Sequence, residues 1–159
     1  MARINDTANV LAFLDMLAWS EGTAGLGDDG YNKVVNGKDS PDFFNDYADH
    51  PRILVTVNSK GLKSTAAGRY QFLAKDWPHY KSLLQLPDFG PVSQDKWAIR
   101  LIIERGALGD IKAGCIALAI RKCSNLWASL PGAGYGQPEH SLDKLIAKYV
   151  QCGGETNDH

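Results

Sequence analysis

The chain is predicted to be an α+β protein: a mostly helical domain with a small β-rich lobe inserted after the first helix. Three observations predict it. Apolar residues recur at helical spacing over 10–21, 93–105, 115–130 and 142–150. Residues 22–45 alternate Gly with Asp and Asn, which is turn chemistry. Arg52-Ile-Leu-Val-Thr-Val57 is rich in β-branched residues, which suit a pleated strand. The 159 residues are enough for one domain with a real core, read here as 1–159 with the β-rich lobe at about 22–66.

The elements follow in order. Residues 1–6 should fray, and Asp6 or Thr7 caps the first helix, which runs to about Glu21. Gly25, Gly27, Gly30 and Gly37 then punctuate a turn-rich stretch, with Tyr31–Val35 as one short strand. After the Arg52–Val57 strand, Asn58-Ser-Lys-Gly61 reads as a turn and Leu62–Ser64 as a short return. Tyr70–Lys75 reads as a short helix. Asp76 caps a fresh one with Pro78 in its first turn. Ser93 caps a long helix through Arg105, ended by Gly106, and a short piece follows at Gly109–Lys112. In Cys115–Ser129, Ile116, Ile120, Cys123, Trp127 and Leu130 recur at four, three, four and three, an amphipathic stripe. Pro131-Gly-Ala-Gly-Tyr-Gly is a tight loop. Pro138 starts the last helix, with Leu142, Leu145, Ile146, Tyr149 and Val150 inward. Gly153-Gly154 closes it, and the tail should be loose.

Composition excludes several classes. A formal net charge of −1 argues against nucleic acid. It also gives no electrostatic pull toward an anionic wall, so binding should come from a shaped cleft. No apolar run approaches the ~18–20 residues of a membrane span, and Asp6 and Asp15 bracket the first apolar stretch, unlike a signal peptide. Cys115 and Cys123 sit eight apart on one helix, about 12 Å by helical rise, beyond disulfide reach. All three cysteines, Cys152 included, are therefore expected to be free thiols of a reducing cytosol. No Cys/His spacing suits zinc, and no metal or cofactor is expected. The histidines are scattered and read as surface or structural residues. Trp19, Trp97 and Trp127 read as core, and Trp77 is left open.

The chemistry concentrates at the end of the first helix. Val10, Leu14, Leu17 and Glu21 are spaced by four, three and four, which puts the carboxyl on the buried stripe. Gly22 offers the left-handed cap that ends a helix. The helix dipole's negative end and apolar surroundings both push the Glu21 pKa up. A glutamic acid protonated near neutrality is what a general acid needs to protonate a glycosidic oxygen. Spacing alone leaves open that Glu21 is a solvated residue at a frayed end.

Met16-Leu-Ala-Trp-Ser-Glu-Gly-Thr23 resembles the catalytic helix end of the phage lambda endolysin family, which are lytic murein transglycosylases. The resemblance continues through Asp46-Tyr-Ala-Asp-His-Pro-Arg52, Leu62-Lys-Ser-Thr-Ala-Ala-Gly-Arg-Tyr-Gln71, Glu104-Arg-Gly-Ala-Leu108 and Cys123-Ser-Asn-Leu-Trp-Ala-Ser-Leu-Pro-Gly-Ala-Gly-Tyr-Gly-Gln137. It is weakest at 24–45, 78–92 and after Val150. It implies a lysozyme-like fold with an active-site cleft between the helical part and the β lobe. It also implies that Glu21 alone serves as acid and then base, the sugar's own 6-hydroxyl closing a 1,6-anhydro ring.

A hydrolytic muramidase is the alternative, pairing Glu21 with Asp28, Asp29, Asp39, Asp42, Asp46 or Asp49. The small hydrolytic phage lysozymes carry an Asp nine positions after the Glu and a Thr six beyond that. Here those places hold Gly30 and Asn36, and Asp29 falls one residue early.

For substrate contacts the sequence offers Ser20, Tyr70, Gln71, Tyr135 and Gln137. Tyr and Gln give flat faces and hydrogen-bonding ends, and the neighbouring glycines let a ligand approach. Tyr70 and Tyr135 are equally suited to core packing, and Arg69 and Arg121 to structural salt bridges. Residues 131–137 are expected to wall the cleft opposite Glu21. The partners implied are peptidoglycan glycan strands and, functionally, a holin that opens the membrane. The enzyme is then expected as a monomer in the bacterial host cytoplasm until lysis, when it reaches the periplasmic wall.

Overall fold

Thr7 starts the first helix in a computed structural model that describes residues 1–127, 129–131 and 139–158. Helix α1 spans Ala8–Ser20, and the Thr7 hydroxyl accepts from the Val10 amide at 3.4 Å. Past its first turn only Leu11, Asp15 and Trp19 keep partial exposure, at a spacing of four. The predicted stripe of Val10, Leu14 and Leu17 is fully buried, but so are Ala12, Phe13, Met16 and Ala18. A helix apolar nearly all round belongs in the middle of a core rather than on its surface.

Two compact units are present: Met1–Gly22 with Ala98–His159, and Thr23–Trp97. In the first, α1 packs against α4 (Leu108–Ala113) and α6 (Leu142–Gln151), and α5 (Ile116–Lys122) packs against both α4 and α6. The predicted helix over 115–129 stops at Lys122. Beyond it, successive turns replace the helical ladder: Leu126 N–H donates to Cys123 O, and Leu130 N–H to Trp127 O. The apolar stripe survives, with Ile116, Ile120, Cys123, Trp127 and Leu130 all buried. Three-residue turns preserve the same facing as a helix, so spacing could not tell them apart.

Both chain ends are tied down, contrary to the sequence reading. Ala2 is buried and its amide donates to Asp15 Oδ1 at 2.7 Å. At the other end Asn157 N–H donates to Gly114 O at 2.9 Å. Asp158 Oδ2 accepts from the Ala117 amide at 2.7 Å, in the first turn of α5. Helix α6 begins at Leu142, capped by Ser141; Pro138, the expected start, lies outside the described residues. Its buried residues are Leu145 and Tyr149, whereas Val150 is exposed.

The second unit holds the β structure. Strand β1 (Val55–Thr56) pairs antiparallel with β2 (Lys63–Ser64), Val55 opposite Ser64. The expected strand from Arg52 is shorter because Arg52 takes a left-handed φ of 52°. The expected Tyr31–Val35 strand reduces to single bridges, Lys33 to Phe43 and Val34 to Ala67. Phe72 bridges Ala67 instead of joining a helix, since Gln71 turns the chain with a φ of 55°. A 3-10 turn at Ala74–Asp76 leads into α2 (Trp77–Leu83). Helix α3 (Pro91–Glu104) starts two residues before Ser93. Pro91 fits the first helical position, where its missing N–H costs nothing.

The sequence places the end of the β-rich lobe near residue 66, and the compact unit that holds it runs on to Trp97. The reason is an aromatic core. Phe72 stacks on Trp97 at 3.9 Å, Tyr80 on Trp97 at 5.3 Å, and Trp77 meets Phe89 edge-on at 5.1 Å. Trp77, left open by the sequence, is fully buried. Beside these rings lies a polar core. Tyr31 OH and Tyr70 OH donate to the buried Asp95 at 2.8 Å and 2.6 Å. Gln94 receives the Arg69 amide at 2.9 Å and donates to Tyr31 O and Phe89 O. A Cβ on Gly68, whose φ is 84°, would lie 2.4 Å from Gln94 Oε1, so this close approach requires glycine.

Candidate active site

Glu21 is the residue that ends α1. Its own N–H still donates to Leu17 O at 2.8 Å, and Gly22, at φ 77°, turns the chain away. The apolar helix therefore delivers a carboxyl to its last position, as the spacing predicted. The residue keeps partial exposure, yet protein crowds the carboxyl enough to penalise its charged form. Burial pushes the pKa from 4.5 up to about 7, and a hydrogen bond from Ser129 partly opposes the rise. At pH 7 such a group is close to half protonated, equally ready to give or take a proton.

Ser129 Oγ donates to Glu21 Oε2 at 3.1 Å. It also lies 2.6 Å from Ser20 Oγ, and both serines are buried. His140 holds this cluster from the backbone side. Its N–H donates to Ser129 O at 2.9 Å, and its ring Nε2 is 3.2 Å from Ser20 O. The His140 ring rests 4.6 Å from that of Trp19, over which Lys148 Nζ sits at 5.7 Å. Sequence reasoning missed Ser129 and His140. The only signal for Ser129 was a polar residue between Trp127 and Leu130 on an apolar stripe.

The other nominated residues fall differently. Ser20, read as a sugar contact, turns its hydroxyl inward to Ser129, because the last turn of α1 is buried. Tyr70, read the same way, has no exposure at all and spends its hydroxyl on Asp95. Burial, then the charge of Asp95, raises its pKa. It is a core residue because a phenol next to an aromatic core buries its ring most completely where its hydroxyl finds an acceptor. Gln71 is partly exposed, its amide donating to Gly68 O at 2.9 Å. Tyr135 and Gln137 lie outside the described residues.

The six β-lobe aspartates are each engaged within their own unit. Asp28 accepts from Tyr47 OH at 2.6 Å. Asp29 pairs with the buried Arg69 at 3.3 Å, the structural salt bridge foreseen for that arginine. Asp39 accepts from Thr56 N at 2.8 Å, Asp46 from Ala48 N at 2.8 Å, and Asp42 lies 4.0 Å from Lys33 Nζ. Asp49 accepts from Trp77 Nε1 and Arg52. Hydrogen bonds offset the burial of Asp29 and Asp49, and their pKa values are lowered. They are held as ions, opposite to Glu21. Cys115, Cys123 and Cys152 are free thiols.

The profile of one known family, described as endolysin, matches residues 11–156. The endolysin of Escherichia phage P2 is 56% identical over 162 aligned residues, covering 97% of this chain and 98% of that protein. The endolysin of Escherichia phage lambda is 53% identical over 162 residues, covering 99% and 98%. Among solved structures, bacteriophage lambda lysozyme complexed with a chitohexasaccharide superposes with a TM-score of 0.90 at 52% identity. It covers 98% of this chain and 100% of its own.

Proposed function

The chain belongs to the endolysin family, and from that premise we propose that it cleaves peptidoglycan glycan strands as a lytic transglycosylase with Glu21 as its one acid–base group. Its fold is the lysozyme-like α+β fold. The observation that carries the reading is a carboxyl with a pKa near 7 and a hydrogen bond on one oxygen only among those described. Neutral Glu21 protonates the glycosidic oxygen O4, which bridges MurNAc C1 and GlcNAc C4, as the C1–O4 bond breaks and GlcNAc leaves as its 4-hydroxyl. The resulting carboxylate takes the proton of the MurNAc 6-hydroxyl as O6 bonds to C1. The glutamic acid is regenerated, a 1,6-anhydro end forms, and no water is consumed. A second carboxylate is not required, which fits six aspartates that are already engaged.

The bound chitohexasaccharide of the lambda lysozyme structure supports a saccharide ligand here. Gln71, with Tyr135 and Gln137, is proposed as a saccharide contact. On the same reading the enzyme is a monomer of the host cytoplasm that depends on a holin to meet the periplasmic wall. Expression without a holin should then leave cells intact, and lysis under those conditions would refute the dependence. Mass spectra of released muropeptides test the chemistry: anhydro products weigh one water less than hydrolytic ones. Hydrolytic products would instead make this a muramidase.

A further inference from the structure

Resting on Glu21 as the acid–base group, we propose that Ser20 and Ser129 are positioning residues forming a one-way hydroxyl relay that confines the transferable proton of Glu21 to Oε1. The argument is a count of protons. A serine hydroxyl carries one proton and two acceptor positions. Ser129 Oγ meets Glu21 Oε2 at 3.1 Å and Ser20 Oγ at 2.6 Å. An ionised carboxylate only accepts, so the Ser129 proton points to Oε2. The short contact between the serines must then be filled by the proton of Ser20. The sense of the chain is fixed: Ser20 to Ser129 to Glu21.

The same arrangement serves neutral Glu21 without turning any hydroxyl. Oε2 remains the carbonyl oxygen that accepts from Ser129, and the acidic proton resides on Oε1. A proton on Oε2 would require Ser129 to accept it and to turn its own proton away from Oε2, either off both partners it meets among the described residues or toward Ser20, whose proton would then leave the 2.6 Å contact. A relay already oriented for both protonation states costs no reorganisation when the carboxyl switches from acid to base. No bond breaks within the relay. The proton delivered and recovered is the one on Oε1.

His140 makes the geometry rigid, since one residue holds the backbone of both serines. A ring nitrogen facing a carbonyl must carry the proton, so Nε2 donates to Ser20 O. Among the described residues, the titratable groups recorded against this end of α1 are His140 itself and Lys148, over Trp19. The displacement of the Glu21 titration arises from burial and the Ser129 bond, with no charged neighbour contributing among the described residues.

The test follows the Glu21 side-chain carboxyl carbon by NMR titration of 13C-labelled protein, alongside the alkaline limb of the kcat/KM pH profile. Ser129→Ala should raise the Glu21 midpoint by about one pH unit, about tenfold in the proton equilibrium. Ser20→Ala should raise it by a smaller step, through lost polarisation of Ser129. In the double variant Ser20→Ala should add nothing, because Ser20 acts only through Ser129. Ser129→Thr, which keeps the hydroxyl, should hold the midpoint and secures the test if the alanine variants fold poorly. An unmoved midpoint in Ser20→Ala, or shifts that add in the double variant, would overturn the relay. A role in packing alone would lower Tm and leave the midpoint in place. The titration is independent of the products formed, so hydrolytic muropeptides would overturn the transglycosylase reading without touching this result.

Discussion

Two regions of the molecule bury a carboxyl, and they treat it in opposite ways. Asp95, in the second unit, accepts from two tyrosine hydroxyls, and the buried Arg69 guanidinium lies against both tyrosine rings at 5.2 and 5.6 Å. Among the described residues, Glu21 at the end of α1 is met by one serine hydroxyl. A buried charge persists only where donors and counter-charge replace water. Asp95 meets two such donors, so it serves as a structural anchor. Glu21 is left short, so its proton is retained to about pH 7. Among the described residues the two carboxyls differ in the donors they meet, two tyrosine hydroxyls at Asp95 and one serine hydroxyl at Glu21.

The most forceful way to break this comparison is to replace each carboxyl by its amide. Glu21→Gln should lower murein turnover more than about a hundredfold, at least about 2.7 kcal/mol of barrier, while the protein stays folded. An amide cannot give and recover the proton. Turnover above a hundredth of wild type would remove Glu21 from the mechanism. Asp95→Asn should do the converse. An amide nitrogen facing a phenol cannot accept, so stability should fall by about 2–3 kcal/mol in urea unfolding. Turnover per folded molecule should stay within about threefold. A folded but inactive Asp95→Asn variant would erase the distinction.

A gentler probe uses pH. The Glu21 pKa is raised from 4.5 to about 7 in the folded protein, so between those values the folded state binds the extra proton. Stability attributable to Glu21 is therefore fully present below about pH 4.5 and is lost as pH rises to about 7. The whole loss is on the order of 3 kcal/mol. Glu21→Gln removes the titration, so its Tm should exceed that of wild type above pH 7 and match it near pH 4. Parallel Tm curves for the two proteins across that range would mean that the carboxyl is not desolvated.

How much of this was legible in the sequence differs between the same two regions. The end of α1 could be read because helical spacing is local: Val10, Leu14 and Leu17 project the position of Glu21, and Gly22 marks the stop. The groups that tune Glu21 could not be read. Ser129 and His140 reach it from more than a hundred positions away, through a hydroxyl and a backbone N–H that leave no periodic trace. In the second unit, Arg69 was readable as a salt-bridge former, but Asp95 was not singled out, and Tyr70 suits a sugar face and a core equally well. The tail failed for a related reason. Polar residues after a Gly-Gly pair look unstructured, yet Thr156, Asn157 and Asp158 spend their polar groups on the ends of α4 and α5.

Tyr70→Phe gives the smallest effect and the sharpest cut between those two roles. The substitution keeps the ring that packs 5.8 Å from Phe72 and removes only the hydroxyl bonded to Asp95. Asp95 retains the Tyr31 donor, and Arg69 Nη1 loses the acceptor it meets at 3.1 Å. The expected cost is about 1–2 kcal/mol, the range for a hydrogen bond to a charged group. Turnover per folded molecule and KM should be unchanged, because a fully buried hydroxyl cannot touch a saccharide. The sugar-contact reading predicts the reverse: a raised KM with Tm intact. Measuring Tm and murein turnover on this one variant therefore shows whether the second unit's polar core carries stability alone or also takes part in binding.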